Sequence, residues 1–421
     1  HSDEPNPPLA PVLAGPILRR VLPGRLTLWL ATRAPAAVRL ELDAGDGVPR
    51  RLELAPGGPG CTHLPAGERL HYLLLDLALD PPLPAGSWVD YRLALHLADD
   101  PGAGWQEAAL WAPDLCYPGR ETPGFQVPGR VEALLHGSCR KPHHPGGDGL
   151  VEADRLLARC MAGDAGEDRD LPAWPEALVL SGDQIYADDV AGPMLRAIHR
   201  LIARLGLPPE ALSGLEVPDL ADSTDLYAHP DTYYRREALL PRFQRHRDVL
   251  ETLFGGVRKP IFTSDNAHNH LITLGEVLTM YLLAWSPAPW AGLEREPPPG
   301  LTPEEAQRYA DEEALLEPFT AGLPAVRRLL AHLPVAMVFD DHDVTDDWNL
   351  SREWEETVYG HPFSQRIIGN ALAAYLLNQG WGNAPEAFPE ALNDGLRATL
   401  GRAGSAAHDG FIQDLLAFER W

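Results

Sequence analysis

Three apolar runs in this 421-residue chain end abruptly in residues able to hold a cation or move a proton. VEALLHG (131–137) gives way to Ser138-Cys139-Arg140-Lys141, and EALVLS (176–181) to Gly182-Asp183-Gln184-Ile185-Tyr186-Ala187-Asp188-Asp189. LPVAMVF (333–339) runs into Asp340-Asp341-His342-Asp343, followed by Val344-Thr345-Asp346-Asp347. Thiolate, phenolate and carboxylates together neutralise a highly charged cation, and such a mixed set favours iron over a plain zinc site. The additional carboxylates suit a second, harder ion such as calcium. Each residue alone has an ordinary reading: Cys139 as a small core hydrophobe, Asp183 as a helix cap, Tyr186 as a packing residue. Four ionisable groups directly after an apolar strand, as in DDHD, are costly unless partnered or metal-bound. The weight lies on the conjunction.

The elements that must position these residues alternate. Apolar runs at 131–139, 176–183 and 333–341 read as buried strands, with helical spacing in GLVEADRLLARC, PMLRAIHRLIARLG and SQRIIGNALAAYLLNQG between or after them. Thr302-Pro303-Glu304-Glu305 is a capping-box start with Pro at the first helical position. Strands alternating with helices imply an α/β layer architecture, whose ligand sites gather beyond the carboxyl ends of the strands. Residues 1–120 differ. RLTLWLAT, AVRLELDAG, RRLELAP, HYLLLDLAL and WVDYRLALHL, punctuated by Pro and Gly, predict a small antiparallel β-sandwich. Residues 121–130 read as a linker and 131–421 as the second domain.

Composition excludes several classes. With 35 Lys+Arg against 60 Asp+Glu the formal charge is −25, which argues against a sequence-independent nucleic-acid binder. Four cysteines do not make a disulfide framework in a chain this long. VLTMYLLAW (277–285) is too short to span a bilayer. His143 and His144 read as a solvated loop, Asn266, His268, Asn269 and His270 as a polar helix entry, and Tyr281 and Trp285 as core.

Taken in order, GSCRK, GDQIYADD and FDDHDVTDDWN resemble the motifs of the PhoD-like alkaline phosphatase/phosphodiesterase family, within the calcineurin-like metallophosphoesterases. The resemblance spans nearly the whole chain, because that family also carries an N-terminal β-sandwich. It implies a four-layer fold, two central sheets flanked by helices, and hydrolysis of a phosphomonoester or phosphodiester by metal-activated water. It also implies iron (Fe3+) and calcium as the metals. Carried over residue by residue, Cys139 and Tyr186 resemble iron ligands, Asp183 a metal-bridging carboxylate, and Asp341 and Asp340 further metal ligands. Arg140 resembles the phosphate-contacting arginine and His342 the acid/base or phosphate-contacting group. Thr345-Asp346-Asp347 stands where better-known members often show Asn, which leaves the identity of the second ion open. Three strands are too few for two stacked sheets, so the second domain is expected to be incomplete at its C-terminus. The alternative from a different class is a non-catalytic binding protein, with a degenerate phosphatase domain joined to a β-sandwich interaction module.

Overall fold

The structure is a computed structural model that describes residues 7–163, 173–215, 220–241, 262, 267–346 and 348–417. Asn266 and Asp347, both considered above, lie outside the described residues.

Residues 12–126 form two antiparallel sheets. One has the order β1 (Val12–Leu22), β2 (Arg25–Thr32), β6 (Leu70–Ala78), β5 (Cys61–Gly67). The other has the order β4 (Arg50–Leu54), β3 (Ala36–Asp43), β7 (Trp88–Leu97), β8 (Gln106–Glu107). A further strand, β9 (Gly124–Gln126), pairs with β7 inside the stretch expected to be a linker. Sequence texture separates the two sheets. β3 alternates buried and half-buried residues, as expected of a strand with one wet face, whereas β1 and β2 are buried almost throughout. The cause is that the β1–β2–β6–β5 sheet is covered twice. Leu18, Leu28 and Leu73 face the sandwich interior, while Ile17, Trp29 and Tyr72 join a second core shared with helices of the following half. The sandwich is therefore packed into the rest of the protein and is not a separate bead.

Beyond it lie β10 (Leu134–Gly137), β11 (Ala177–Ser181) and β12 (Val335–Val338), a parallel sheet in that order with Leu135 beside Leu178 and Leu180 beside Met337. The helices Gly192–Leu205, Leu274–Trp285, Pro303–His332 and Pro362–Tyr375 bury their apolar faces in the shared core. The Pro303–His332 helix starts at the expected capping box, with Thr302 Oγ1 accepting the Glu305 N–H and Glu305 accepting the Thr302 N–H. The fold is mixed α/β: antiparallel sheets first, then a parallel sheet with helices. The three parallel strands were expected to be buried throughout. Instead Leu178, Leu180, Val335 and Met337 point into the core, while Leu134 (55 % exposed) and Val338 (47 % exposed) face solvent. Among the described residues this is the one sheet of the second half, so no second layer covers that face.

Candidate metal centre

The three strands end side by side, and their end loops are stitched together by backbone hydrogen bonds. The Cys139 N–H donates to the Gly182 carbonyl at 3.2 Å, and the Arg140 N–H to the Asp183 carbonyl at 2.8 Å. The Ala187 N–H donates to the His342 carbonyl at 2.8 Å, which closes the second loop on the third. Turning chains this tightly forces unusual backbone. Cys139 has φ +60° and Asp183 φ +52°, in the left-handed region that ordinary side chains avoid. Such strain persists where surrounding structure over-determines it, and it clusters at functional sites. Gly182 has φ +116°, and a Cβ there would lie 2.3 Å from the Asp340 Cβ. Glycine at 182 is thus what lets the second and third loops touch.

The side chains converge. Ligand atoms of Asp183, Asp341 and His342 all lie within 4.8 Å of one another. Cys139 Sγ sits 3.3 Å from Asp183 Oδ2, and the Tyr186 ring stacks on His342 with centroids 4.5 Å apart. Asp183 and Tyr186 are buried, Asp341 and His342 half-buried, and Cys139 and Asp340 exposed, so the cluster opens to solvent from one side. Asp340 is drawn partly into capping: its Oδ1 accepts the Asp341 N–H at 3.0 Å, starting the 3-10 turn Asp341–Asp343.

The electrostatics are those of a site short of positive charge. Burial, together with the neighbouring Asp341 and Asp340, raises the Asp183 carboxyl above its usual range. Burial, with Asp183 and Cys139 close by, pushes the Tyr186 phenol well above its ordinary value. A bound cation reverses both effects, because its charge favours the ionised ligand. Asp183 Oδ1 is buried with no hydrogen-bond partner, and an unpartnered buried carboxylate oxygen is what a ligand oxygen looks like before its ion. The donor set therefore fits one cation.

His342 is anchored from behind. Its Nδ1 lies 2.9 Å from Asp188 Oδ2, and Asp188 is fully buried. That hydrogen bond raises the imidazole to about 9, and among the described residues none bonds to Nε2. A carboxylate behind a histidine fixes both its tautomer and its orientation. Sequence reading passed over Asp188, although it lies five residues beyond Asp183 in the same motif.

Arg140, expected to contact phosphate, is buried. Its guanidinium turns away from the cluster, gives Asp148 two hydrogen bonds of 2.8 and 3.0 Å, donates to the Ala284 carbonyl, and lies 4.5 Å above the Phe319 ring. Only 7 % of the side chain is exposed, so these contacts hold the guanidinium in place at the wall of the neighbouring cleft. Lys141 pairs with Asp189 and its Nζ lies 5.9 Å from the Tyr186 ring centroid. His143, expected in a solvated loop, is mostly buried with Nε2 3.4 Å from Asp189 Oδ1. His268 and Asn269 lie in a buried single turn of 3-10 helix, Ala267–Asn269, and His270 follows it, with Asn269 accepting the Tyr234 N–H and His270 Nε2 3.0 Å from Thr345 Oγ1. The next helix begins at Leu274, where Thr273 and Glu276 make the capping box. A cleft of about 1110 Å³ opens beside Cys139, between the Gly149–Ala162 and Pro303–His332 helices.

No protein-family model matches the chain, and no curated protein matches it in sequence. Among solved structures, that of PhoD aligns at 12 % identity with a TM-score of 0.36, over 88 % of this chain and 47 % of its own. The chain spans about half the length of that structure.

Proposed function

We propose that this protein is a metal-dependent phosphoesterase of the PhoD-like kind, hydrolysing phosphomonoesters or phosphodiesters. The observation that carries this reading is the meeting of Asp183, Asp341 and His342 within 4.8 Å, with Cys139 and Tyr186 at the same strand ends. Asp183, Cys139, Tyr186 and Asp341 would hold the ion, which we assign as iron from the thiolate and phenolate in the set. Asp340, on the exposed side, is placed to serve a second, harder ion such as calcium.

Such a cation, when bound, supplies Lewis acidity and an activated water. The chain's own residues do the rest. His342, held by Asp188 and carrying a proton near neutral pH, is the group to protonate a leaving oxygen from Nε2. Lys141, rather than Arg140, is the cation placed to balance charge on a phosphoryl group. The neighbouring cleft gives the ester's remaining group somewhere to lie. The test is metal analysis of purified protein followed by a turnover assay with bis(p-nitrophenyl) phosphate and p-nitrophenyl phosphate. A coloured, iron-containing protein that hydrolyses either, and loses both colour and turnover in Tyr186→Phe, supports the reading. Metal-free protein with no turnover after iron and calcium addition leaves the non-catalytic alternative standing.

A further inference from the structure

Asp343, the last residue of the DDHD run, does not face the metal cluster. It is 1 % exposed and lies beneath the three strand ends, where its carboxylate collects backbone N–H groups from two loops. Oδ2 accepts from Asp183 at 2.7 Å and from Asp340 at 3.0 Å, while Oδ1 accepts from Gln184 at 3.2 Å and Ile185 at 3.3 Å. One side chain thus fixes the left-handed turn at Asp183 and the start of the turn that carries Asp341 and His342.

Two side chains complete its shell. The Tyr281 hydroxyl donates to Oδ1 at 3.4 Å, and Gln379 Nε2 donates to Oδ1 at 3.2 Å and to the Tyr281 oxygen at 2.9 Å. Gln379 sits in a π-helical turn, Leu376–Gly380, directly after the Pro362–Tyr375 helix. A π turn is rare and widens the helix locally. Here three of its buried carbonyls are capped from the N-terminal sandwich. Trp29 Nε1 donates to the Leu377 carbonyl at 3.0 Å, and Arg19 Nη1 and Nη2 donate to those of Asn378 and Gln379 at 3.3 and 2.6 Å. Arg19 also donates through Nε to the Val335 carbonyl at 3.1 Å, at the start of β12. Arg19 is buried, and among its described contacts every acceptor is a neutral oxygen, including Asn383 Oδ1 at 2.7 Å. A buried guanidinium spent on carbonyls is costly unless it fixes a geometry that hydrophobic packing cannot.

We infer that Asp343 and Gln379 are positioning residues for the metal centre, and that Arg19, from the β-sandwich, holds the π turn that presents Gln379. Through this chain of contacts the sandwich is part of the site's framework. The proposal rests on the phosphoesterase reading for what the centre binds, but its test does not depend on turnover.

The experiment is amide hydrogen exchange on the full-length protein and on Asp343→Asn, Gln379→Met, Arg19→Met and Arg19→Lys, with Mn2+ titration of each. In Asp343→Asn an amide N–H₂ replaces one of two oxygens that between them accept four backbone N–H groups. Exchange at Asp183, Gln184 and Ile185 should rise roughly tenfold to a hundredfold, against unchanged β2–β6 amides. Mn2+ affinity should fall in parallel. Gln379→Met and Arg19→Met should shift the same amides by less, and Arg19→Lys should recover part of the Arg19→Met loss. Wild-type exchange at 183–185 in Asp343→Asn overturns the proposal, as does a rise spread evenly over the whole fold. If Asp343→Asn does not fold, Gln379→Met carries the same comparison. A wild-type protein that binds no metal and turns over no phosphodiester refutes the phosphoesterase reading, while the exchange result still decides the role of Asp343.

Discussion

Gly182→Ala isolates the junction where the second and third strand ends meet. The residue has φ +116°, a conformation alanine adopts only under strain of about 1–3 kcal/mol. Its added Cβ would lie 2.3 Å from the Asp340 Cβ, 3.1 Å from the Asp340 nitrogen and 3.3 Å from its Cα. None of these is the free end of a flexible side chain, so the backbone of the third loop must move, at a further cost of about 1–3 kcal/mol. Together the loss is roughly 2–6 kcal/mol, a large part of a typical domain stability of about 5–15 kcal/mol. Because Asp340 begins the turn that carries Asp341 and His342, ion binding should weaken along with stability. The assay is urea unfolding plus Mn2+ titration, with Gly149→Ala as control. A Cβ at Gly149 meets nothing within 4 Å, and the residue opens a helix, so that variant should be neutral or gain up to about 1 kcal/mol. Gly182→Ala unfolding within about 0.5 kcal/mol of wild type, the range of an ordinary surface change, would refute the steric reasoning. A large stability loss with unaltered Mn2+ affinity would show that the junction does not shape the ion site.

Three further outcomes follow from the same geometry. In metal-free protein His342 should titrate near 9, and Asp188→Asn should bring its midpoint back toward the ordinary histidine value, read by imidazole NMR; because the folded value is raised, the pair's stabilisation is present below about 6.5 and disappears as pH climbs through 9. His332, buried neutral between the Arg328 carbonyl and the Tyr117 ring, is pushed down to about 4 by burial. Its contribution of about 3 kcal/mol is therefore complete above pH 6.5 and lost as pH falls toward 4, and His332→Gln should flatten that part of the stability–pH curve; an unchanged slope counts against it. Arg140→Ala should cost about 3–5 kcal/mol by stranding buried Asp148, with kcat of the folded fraction largely retained; a collapse in kcat at unchanged stability would instead support the phosphate-contact role.

Much of this architecture was legible because local signals agreed with the global fold. RLTLWLAT is β2 residue for residue, and the Thr302 box starts its helix where the pattern placed it. The three strand ends were legible for a related reason: a run of ionisable residues after an apolar strand has few places to go except a shared edge. Cys139, Asp183, Tyr186, Asp341 and His342 do meet there. Side-chain direction was not legible. Arg140 follows Cys139 directly, but Cys139 takes φ +60° and its successor swings onto Asp148 and Phe319, leaving Lys141 on the cluster side. Asp188 and Asp343 look like two more acids in acid-rich motifs, and their roles depend on contacts 154 and 160 residues away in sequence.

The parallel sheet shows the same division between pattern and partner. A continuous apolar run predicts a strand buried on both faces, and that pattern is what β10 and β12 carry. In the described structure one of those faces is wet, with Leu134 and Val338 about half exposed, whereas β1 and β2 are dry on both. The difference is not in the strands. β1 and β2 find a second layer in the helices of the following half, and Trp29 and Arg19 reach through that contact to the π turn behind Asp343. An apolar run records how much covering a strand needs, but which element supplies it is decided by topology. That is why the sandwich, legible as a separate module from its own strands, is in the structure a wall of the core that supports the candidate metal centre.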